Sequence, residues 1–270
     1  MEQRRMDYHL HTVHSMDGRQ TMDELCATMV ERGVQEICLT EHIEPGHPGA
    51  GVDIPPVWDA WFADIETMRQ KYPMLTIRSG IEIGDNPLCR RETKRLLDTL
   101  PLDFRLLSLH LVHGVDCYDR DKYFTGKTRN AAYREYAEAK VESVTDWEDF
   151  DSVAHIGYVA KFSAYTGQER PLRYEDAPDA FDTLLRYIIE HDKCLEINTS
   201  GYGVTEDPLP HSTIIRRYIE LGGELFTFGS DSHDPSRDYA DIERAKDAVR
   251  AMGGRYQAAF CQRKRTLYRI

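Results

Sequence analysis

The chain has 270 residues, 41% of them hydrophobic, enough to bury a sizeable core in one large α/β domain. Its 34 Lys plus Arg against 46 Asp plus Glu give a formal charge of -12, a field that repels nucleic acid and anionic membranes and argues against either as a partner. Six scattered cysteines without a C-x-x-C pair, and no apolar run of about 18 residues, point to a cytoplasmic protein with reduced thiols.

No low-complexity segment, repeat or long linker divides the sequence, so a single domain over residues 1–270 is expected. The first predicted element is the strand MDYHLH (6–11), where His9 and His11 stand two apart and share a face. A loop with His14, Asp17 and Arg19 leads to a helix over TMDELCATMVERG. Thr21 is its N-cap, Glu24 completes a capping box and Gly33 closes its C-terminus. EICLTE (36–41), running into His42, is the second strand, and PPVWDAWFADIETMRQKY the second helix.

The strands LTIRSGIEI (75–83) and FRLLSLH (104–110) bring Glu82 and His110 to their C-terminal ends. A helix over NAAYREYAEAKVESVTDW separates them from SVAHI (152–156), which carries His155. There follow the helix APDAFDTLLRYIIEHD, the strand CLEINTS (194–200), the helix STIIRRYIELGG and the strand LFTFGSD (225–231). Glu196 and Asn198 share one face of their strand, and Asp231 and His233 repeat the i, i+2 spacing at the last tip.

Alternating strands and helices imply a parallel sheet. An open doubly wound sheet builds its crevice mainly at the switch point, whereas a barrel brings every strand end to one mouth. Seven strands, all with polar or metal-capable tips, favour the α/β barrel.

The segments HLHTVHSMDG, TEH, SGIEIG, SLHLVHG, AHIGYVAKF, EINTSG and GSDSHDPS resemble, in order and interval, the motifs of the PHP (polymerase and histidinol phosphatase) superfamily, in particular its histidinol-phosphatase type. The resemblance runs from Tyr8 to about Arg269. It implies a distorted (β/α)7 TIM-like barrel holding three divalent ions. The first is held by His9, His11, Glu82 and Asp231, the second by Glu82, His110 and His155, and the third by Asp17, His42 and His233. Mixed imidazole and carboxylate donors suit Zn, Mn or Fe better than Ca.

The implied activity is hydrolysis of a small anionic phosphomonoester, with L-histidinol phosphate as the leading substrate, by a hydroxide bridging two ions. Glu82, Asp231 and His233 take the catalytic roles. Lys161 is the expected phosphate contact, or else an ordinary surface lysine, and Arg19 and Arg237 are further candidates. Glu196 and Asn198 either meet a substrate amine and hydroxyl or brace the metal ligands. His14 and His113 either touch the substrate or sit in solvated loops.

Two positions depart from the pattern: Ala160 and Gly203 stand where arginines are expected, which removes bidentate phosphate recognition there. Other readings therefore stay open. One is a PHP phosphoesterase acting on another phosphorylated metabolite, a phosphodiester or a phosphotyrosine peptide. Another is a metal-containing regulatory or scaffolding barrel. Cys26, Cys38 and Cys194 read as core residues. Ser15, Ser108 and Ser230 read as partners of backbone, His47 and His211 as surface residues, and His191 as a helix C-terminal cap.

Overall fold

Runs of Ile, Leu, Val and Phe long enough for a strand but too short for a helix recur along the chain, and each becomes a strand of the computed structural model. The model describes residues 3–47, 58–236 and 239–270. The strands are β1 (Met6–Leu10), β2 (Glu36–Ile43), β3 (Thr76–Gly84), β4 (Phe104–Ser108), β5 (Leu111–Val112), β6 (Val115–Asp116), β7 (Ser152–Val153), β8 (Cys194–Asn198), β9 (Leu225–Gly229), β10 (Tyr256–Cys261) and β11 (Lys264–Arg269). The helices are α1 (Met22–Glu31), α2 (Trp58–Lys71), α3 (Arg90–Leu97), α4 (Arg120–Phe124), α5 (Arg129–Trp147), α6 (Tyr158–Lys161), α7 (Pro178–Glu190), α8 (Ser212–Glu220) and α9 (Ala240–Ala251).

The main sheet runs β1-β2-β3-β4-β7-β8-β9-β10-β11, and every neighbouring pair is parallel except β10 with β11. This is the mixed α/β class with a mostly parallel sheet. The tip of β1 approaches the tip of β9. There Asp231 N donates to His9 O and His11 N to Ser232 O, both at 2.9 Å, around a single bridge between Leu10 and Ser232. These are isolated bonds and not a closing ladder.

The expected capping box forms: Glu24 N donates to Thr21 Oγ1 at 3.2 Å and Thr21 N to Glu24 Oε2 at 2.8 Å. Gly33, at φ 69°, turns the chain out of α1. Two hairpins, β5–β6 and β10–β11, and the helices α3, α4 and α6 lie outside the sequence expectation. The β10–β11 turn is made by Gln262 and Arg263 at φ 50° and 63°, so it lacks the Asn-Gly signature that marks such a turn in a sequence.

Alternation along the strands divides the interior. Ile37, Leu39, Ile77, Ile81, Ile83, Leu195 and Ile197 belong to the large cluster shared with the helices. Met6, Tyr8, Cys38, Phe104, Leu106 and Cys194 form a second cluster with Ala258 and Phe260 of β10, drawn from strands and their ends, with no helix residue. The second cluster is the floor beneath the strand tips. Cys26, Cys38 and Cys194 are all buried, as expected.

β1 departs from simple alternation. Its register with β2 pairs Asp7 with Ile37 and Leu10 with Leu39, so Tyr8 and His9 stand opposite Cys38 alone. This bulge shifts the phase of the strand, as an inserted residue does. Tyr8 stays in the floor cluster while His9, the next residue, reaches the site.

Candidate active site

On β2, β3, β4 and β8 the residues that share a face with the floor cluster are, at the C-terminal tips, His42, Glu82, Ser108 and Glu196. His110, His155, Asp231 and His233 come instead from the loops, because β4 ends at Ser108, β7 at Val153 and β9 at Gly229. The i, i+2 strand geometry expected for Asp231 and His233 is thus corrected. Asp231 has φ 56°, a left-handed conformation, and the pair is drawn inward by the bonds that tie this loop to β1.

Glu82 is the hub. Its Oε2 lies 3.1 Å from His9 Nε2, 3.3 Å from His11 Nε2 and 3.1 Å from His42 Nδ1. Its Oε1 lies 2.7 Å from His155 Nε2 and 3.4 Å from His110 Nε2. Ser108 Oγ donates to Oε1 rather than to backbone, correcting the reading of that serine. Asp231 Oδ1 stands 3.6 Å from His9 Nε2 and 3.7 Å from His11 Nε2. Asp17, on the loop after β1, reaches His233 Nε2 at 3.1 Å and His42 Nε2 at 3.6 Å.

The far side of most rings is pinned. His9 Nδ1 meets Glu196 Oε1 at 2.5 Å, and His110 Nδ1 meets Glu44 Oε1 at 2.7 Å. His11 Nδ1 meets Ser15 Oγ at 3.2 Å, and that hydroxyl donates to Glu41 Oε2 at 2.6 Å. His233 Nδ1 donates to the Asp231 carbonyl at 3.0 Å. A ring that gives its Nδ1 proton to an oxygen keeps its Nε2 lone pair free, which is how proteins prepare imidazole ligands.

The charges are unbalanced without cations. Among the described residues, the cavity, about 540 Å³, is lined by Asp17, Glu44, Glu82, Asp116, Asp231 and Asp234, against only Arg19 and Lys161. Burial by itself lowers the pKa of His9, but the carboxylates of Glu196, Glu82 and Asp231 outweigh it and hold the ring well above the usual histidine range. The same contest lifts His42 to about 9, through Glu82, Glu44 and Asp17, and His110 to about 10, through Glu44 and Glu82. His11 goes the other way: burial, then the neighbouring His42 and His233 rings, push it well down. Glu82 and Asp231 are held well below the carboxylate range despite burial, Glu82 chiefly by His9 and His42, Asp231 chiefly by Lys161 and His9.

Several buried nitrogens have no hydrogen-bond partner: His11 Nε2, His42 Nδ1 and His155 Nδ1. Among the described residues, four groups of three donors come within 4.8 Å of one another. They are His9, His11 and Asp231; His9, Glu82 and His155; His42, Glu82 and His110; and His11, His42 and His233. Orphaned imidazole nitrogens beside excess carboxylate are what a set of divalent cations would satisfy. The residues present fit the metals that the sequence implied.

The other sequence candidates separate. Lys161, on α6, lines the cavity and pairs with Asp231 Oδ2 at 2.8 Å, and Arg19 lines it too. Glu196 is buried, accepting from His9 and, at 2.6 Å, from the backbone N–H of His155. Asn198 lies beside it, its oxygen held by Ser200. His14 turns to Asp64 at 2.8 Å, and His113 sits exposed at φ 50° in the turn between β5 and β6; neither lines the cavity. Arg237 lies outside the described residues.

His47, read as a surface residue, lines the cavity and contacts Asp116 at 3.1 Å, because the loop after β2 bends over the β5–β6 hairpin. His191 ends α7 as expected, its Nδ1 on the Tyr187 carbonyl. Glu44 and Tyr158 were missed, while Glu41 was placed beside His42 at a strand tip without a role of its own. Tyr158 packs its ring on His110 at 4.6 Å. Glu41 was legible only as part of the TEH motif, and Glu44 carried no signal beyond its place two residues after His42.

Residues 7–200 match the model of the PHP domain. The chain is 27% identical over 258 residues to a histidinol-phosphatase of Lactococcus lactis, covering 95% of this chain and 94% of that one. It is 30% identical over 230 residues to a probable histidinol-phosphatase of Clostridium acetobutylicum, covering 84% and 86%. A crystal structure of histidinol phosphate phosphatase from Lactococcus lactis, complexed with Zn, L-histidinol and phosphate, superposes with a TM-score of 0.90. It shares 26% identity and covers 98% of this chain and 100% of that one.

Proposed function

The chain belongs to the PHP domain family, and from that premise we propose that it is a metal-dependent phosphomonoester hydrolase whose substrate is L-histidinol phosphate. The observation that carries this reading is Glu82: one buried carboxylate with three imidazoles within 3.3 Å of one oxygen and two within 3.4 Å of the other. A carboxylate so placed bridges two donor sets. We assign His9, His11, Glu82 and Asp231 to a first ion, Glu82, His110 and His155 to a second, and Asp17, His42 and His233 to a third. Zn, Mn and Fe are the candidates.

When bound, such ions act as Lewis acids and lower the pKa of water toward neutrality. The chain supplies the rest. Glu82, Asp231 and His233 hold the reacting centre, while Lys161 and Arg19, the fixed cations of the cavity wall, bind phosphate oxygens. Glu196, Asn198, Ser15 and Glu41 keep the rings oriented. We take residues 1–270 as one domain, and the sheet as a distorted (β/α)7 barrel closed where β1 meets the loop after β9. No helix of the described residues is long and apolar enough to cross a membrane. The free cysteines, most of them buried, support a cytoplasmic enzyme.

One feature favours a second reading, the same chemistry on another small phosphomonoester. Ala160 is fully buried beside Lys161 and brings no guanidinium of its own, and the Arg170 guanidinium next to it is engaged on the Ala160 and Lys161 carbonyls at 3.0 and 2.6 Å. The test is phosphate release from L-histidinol phosphate by protein reloaded with Zn, Mn or Fe, beside a panel of sugar, nucleotide and amino-alcohol phosphates. A kcat/KM of about 10⁴ M⁻¹s⁻¹ or more on histidinol phosphate is expected. Turnover of a different ester with only traces on this one would reassign the substrate.

A further inference from the structure

Glu44 lies just past the end of β2, in a segment that sequence reasoning left without a role. Its side chain is only 5% exposed. One oxygen, Oε1, lies 2.7 Å from His110 Nδ1 and 3.3 Å from His42 Nδ1. These two rings serve different donor sets: His110 turns its Nε2 to Glu82 Oε1 and His155, and His42 turns its Nε2 to Asp17.

The carboxylate rests on a glycine. A Cβ built on Gly84, at the end of β3, would lie 1.9 Å from Glu44 Oε2 and 2.3 Å from its carboxyl carbon. No atom of backbone or of a metal ligand is among the three nearest to that point; all three belong to the Glu44 carboxylate. A Cβ at position 84 would displace the Glu44 carboxylate. Gly84 has no positive φ, so its absent side chain, and not its backbone conformation, is what the site uses.

We propose that Glu44, seated on Gly84, is a positioning residue that fixes the Nδ1–H tautomer of His110 and the orientation of His42, and so couples the second ion to the third. The inference rests on the metal assignment made above. The physics is that of any imidazole ligand: the carboxylate on Nδ1 leaves Nε2 unprotonated and aimed, and raises its basicity.

The test uses Glu44→Ala, Gly84→Ala and the double variant, each stripped of metal and titrated with Zn²⁺ or Mn²⁺. Binding stoichiometry, affinity and the melting temperature of the metal-free protein are recorded. Both single variants should bind the second and third ions about 10–100-fold more weakly, the range for loss of such a partner, while the first ion stays near wild-type affinity. The double variant should be no worse than Glu44→Ala, because the alanine at position 84 then has nothing to displace. In ¹⁵N spectra of histidine-labelled protein loaded with Zn²⁺, the wild-type His110 ring should show a single neutral tautomer with Nδ1 protonated, and Glu44→Ala should lose that signature.

Wild-type affinity for all ions in Glu44→Ala would overturn the proposal. So would an additive double variant, or a Gly84→Ala variant that loses metal-free stability and keeps its metals. Failure of the functional reading looks different: wild-type protein would then take up ions and release no phosphate, whatever Glu44 does.

Discussion

At the scale of single residues, the chemistry depends on what Glu82 can do that an amide cannot. Glutamine has nearly the same shape, but it carries no charge and has one acceptor oxygen where five imidazoles need two. Glu82→Gln is expected to lose the two ions that the carboxylate bridges and about 10²–10³-fold or more in kcat/KM. Metal analysis of the purified variant, together with phosphate release, checks this. Near-normal metal content and turnover would remove the bridging assignment. Sequence alone located Glu82, His9, His11, His110 and His155, because each lies at or just past a strand tip. It left Glu196 and Asn198 open between substrate contact and brace. The structure shows both buried and hydrogen-bonded to their neighbours.

At the scale of elements, α5 carries a group at odds with its surroundings. Lys140 is fully buried and its Nζ donates only to the Leu107 carbonyl of β4, at 3.1 Å, among the hydrogen bonds of the described residues. Burial drives its pKa down from 10.5 to about 7, against the pull of Asp85, Glu196 and Glu82. The sign follows from linkage. Between about pH 7 and 10.5 the unfolded chain binds the extra proton, so this lysine makes stability rise with pH across that window, and its full penalty is present below it. Lys140→Met, of similar volume, should therefore be more stable than wild type at pH 7, on the order of 1 kcal/mol or more, with the gap shrinking by pH 10. Urea denaturation of metal-free protein at both pH values measures it. A less stable variant at pH 7 would mean that the ammonium is needed to balance the buried carboxylates. The helix itself was legible from its periodicity, whereas the hairpins β5–β6 and β10–β11 were not. Two-residue strands carry no period, and a Gln-Arg turn carries no turn signal.

At the scale of the whole molecule, six carboxylates gather around one cavity in a protein already at -12. Without ions, protons on His9, His42 and His110 offset that charge, the last two with pKa values of about 9 and 10. Metal uptake at pH 7 must displace those protons, so affinity should rise as pH is raised from 6 to 9 and each uptake step should release protons. Calorimetry in buffers of different ionisation enthalpy reads the proton count directly, and a buffer-independent heat would contradict the charge state described here. Chelation should lower the melting temperature as well. An ion present at 100 times its Kd contributes about 2.7 kcal/mol, and only the folded chain assembles these donors.

The sequence by itself determined the alternation of strand and helix and the collection of metal-capable side chains at one end of the sheet. Both follow from short-range rules: a period of two along a strand, a period of 3.6 along a helix, and a capping box that closes within four residues. What only the tertiary structure decided is the junction of the first and last site strands. There a bulge at Tyr8 and His9 and a left-handed Asp231 bring the two ends together. It also decided the seat of Glu44 on Gly84. These depend on contacts between residues 29 to more than 200 positions apart, and no local pattern records which backbone a distant carboxylate will rest upon.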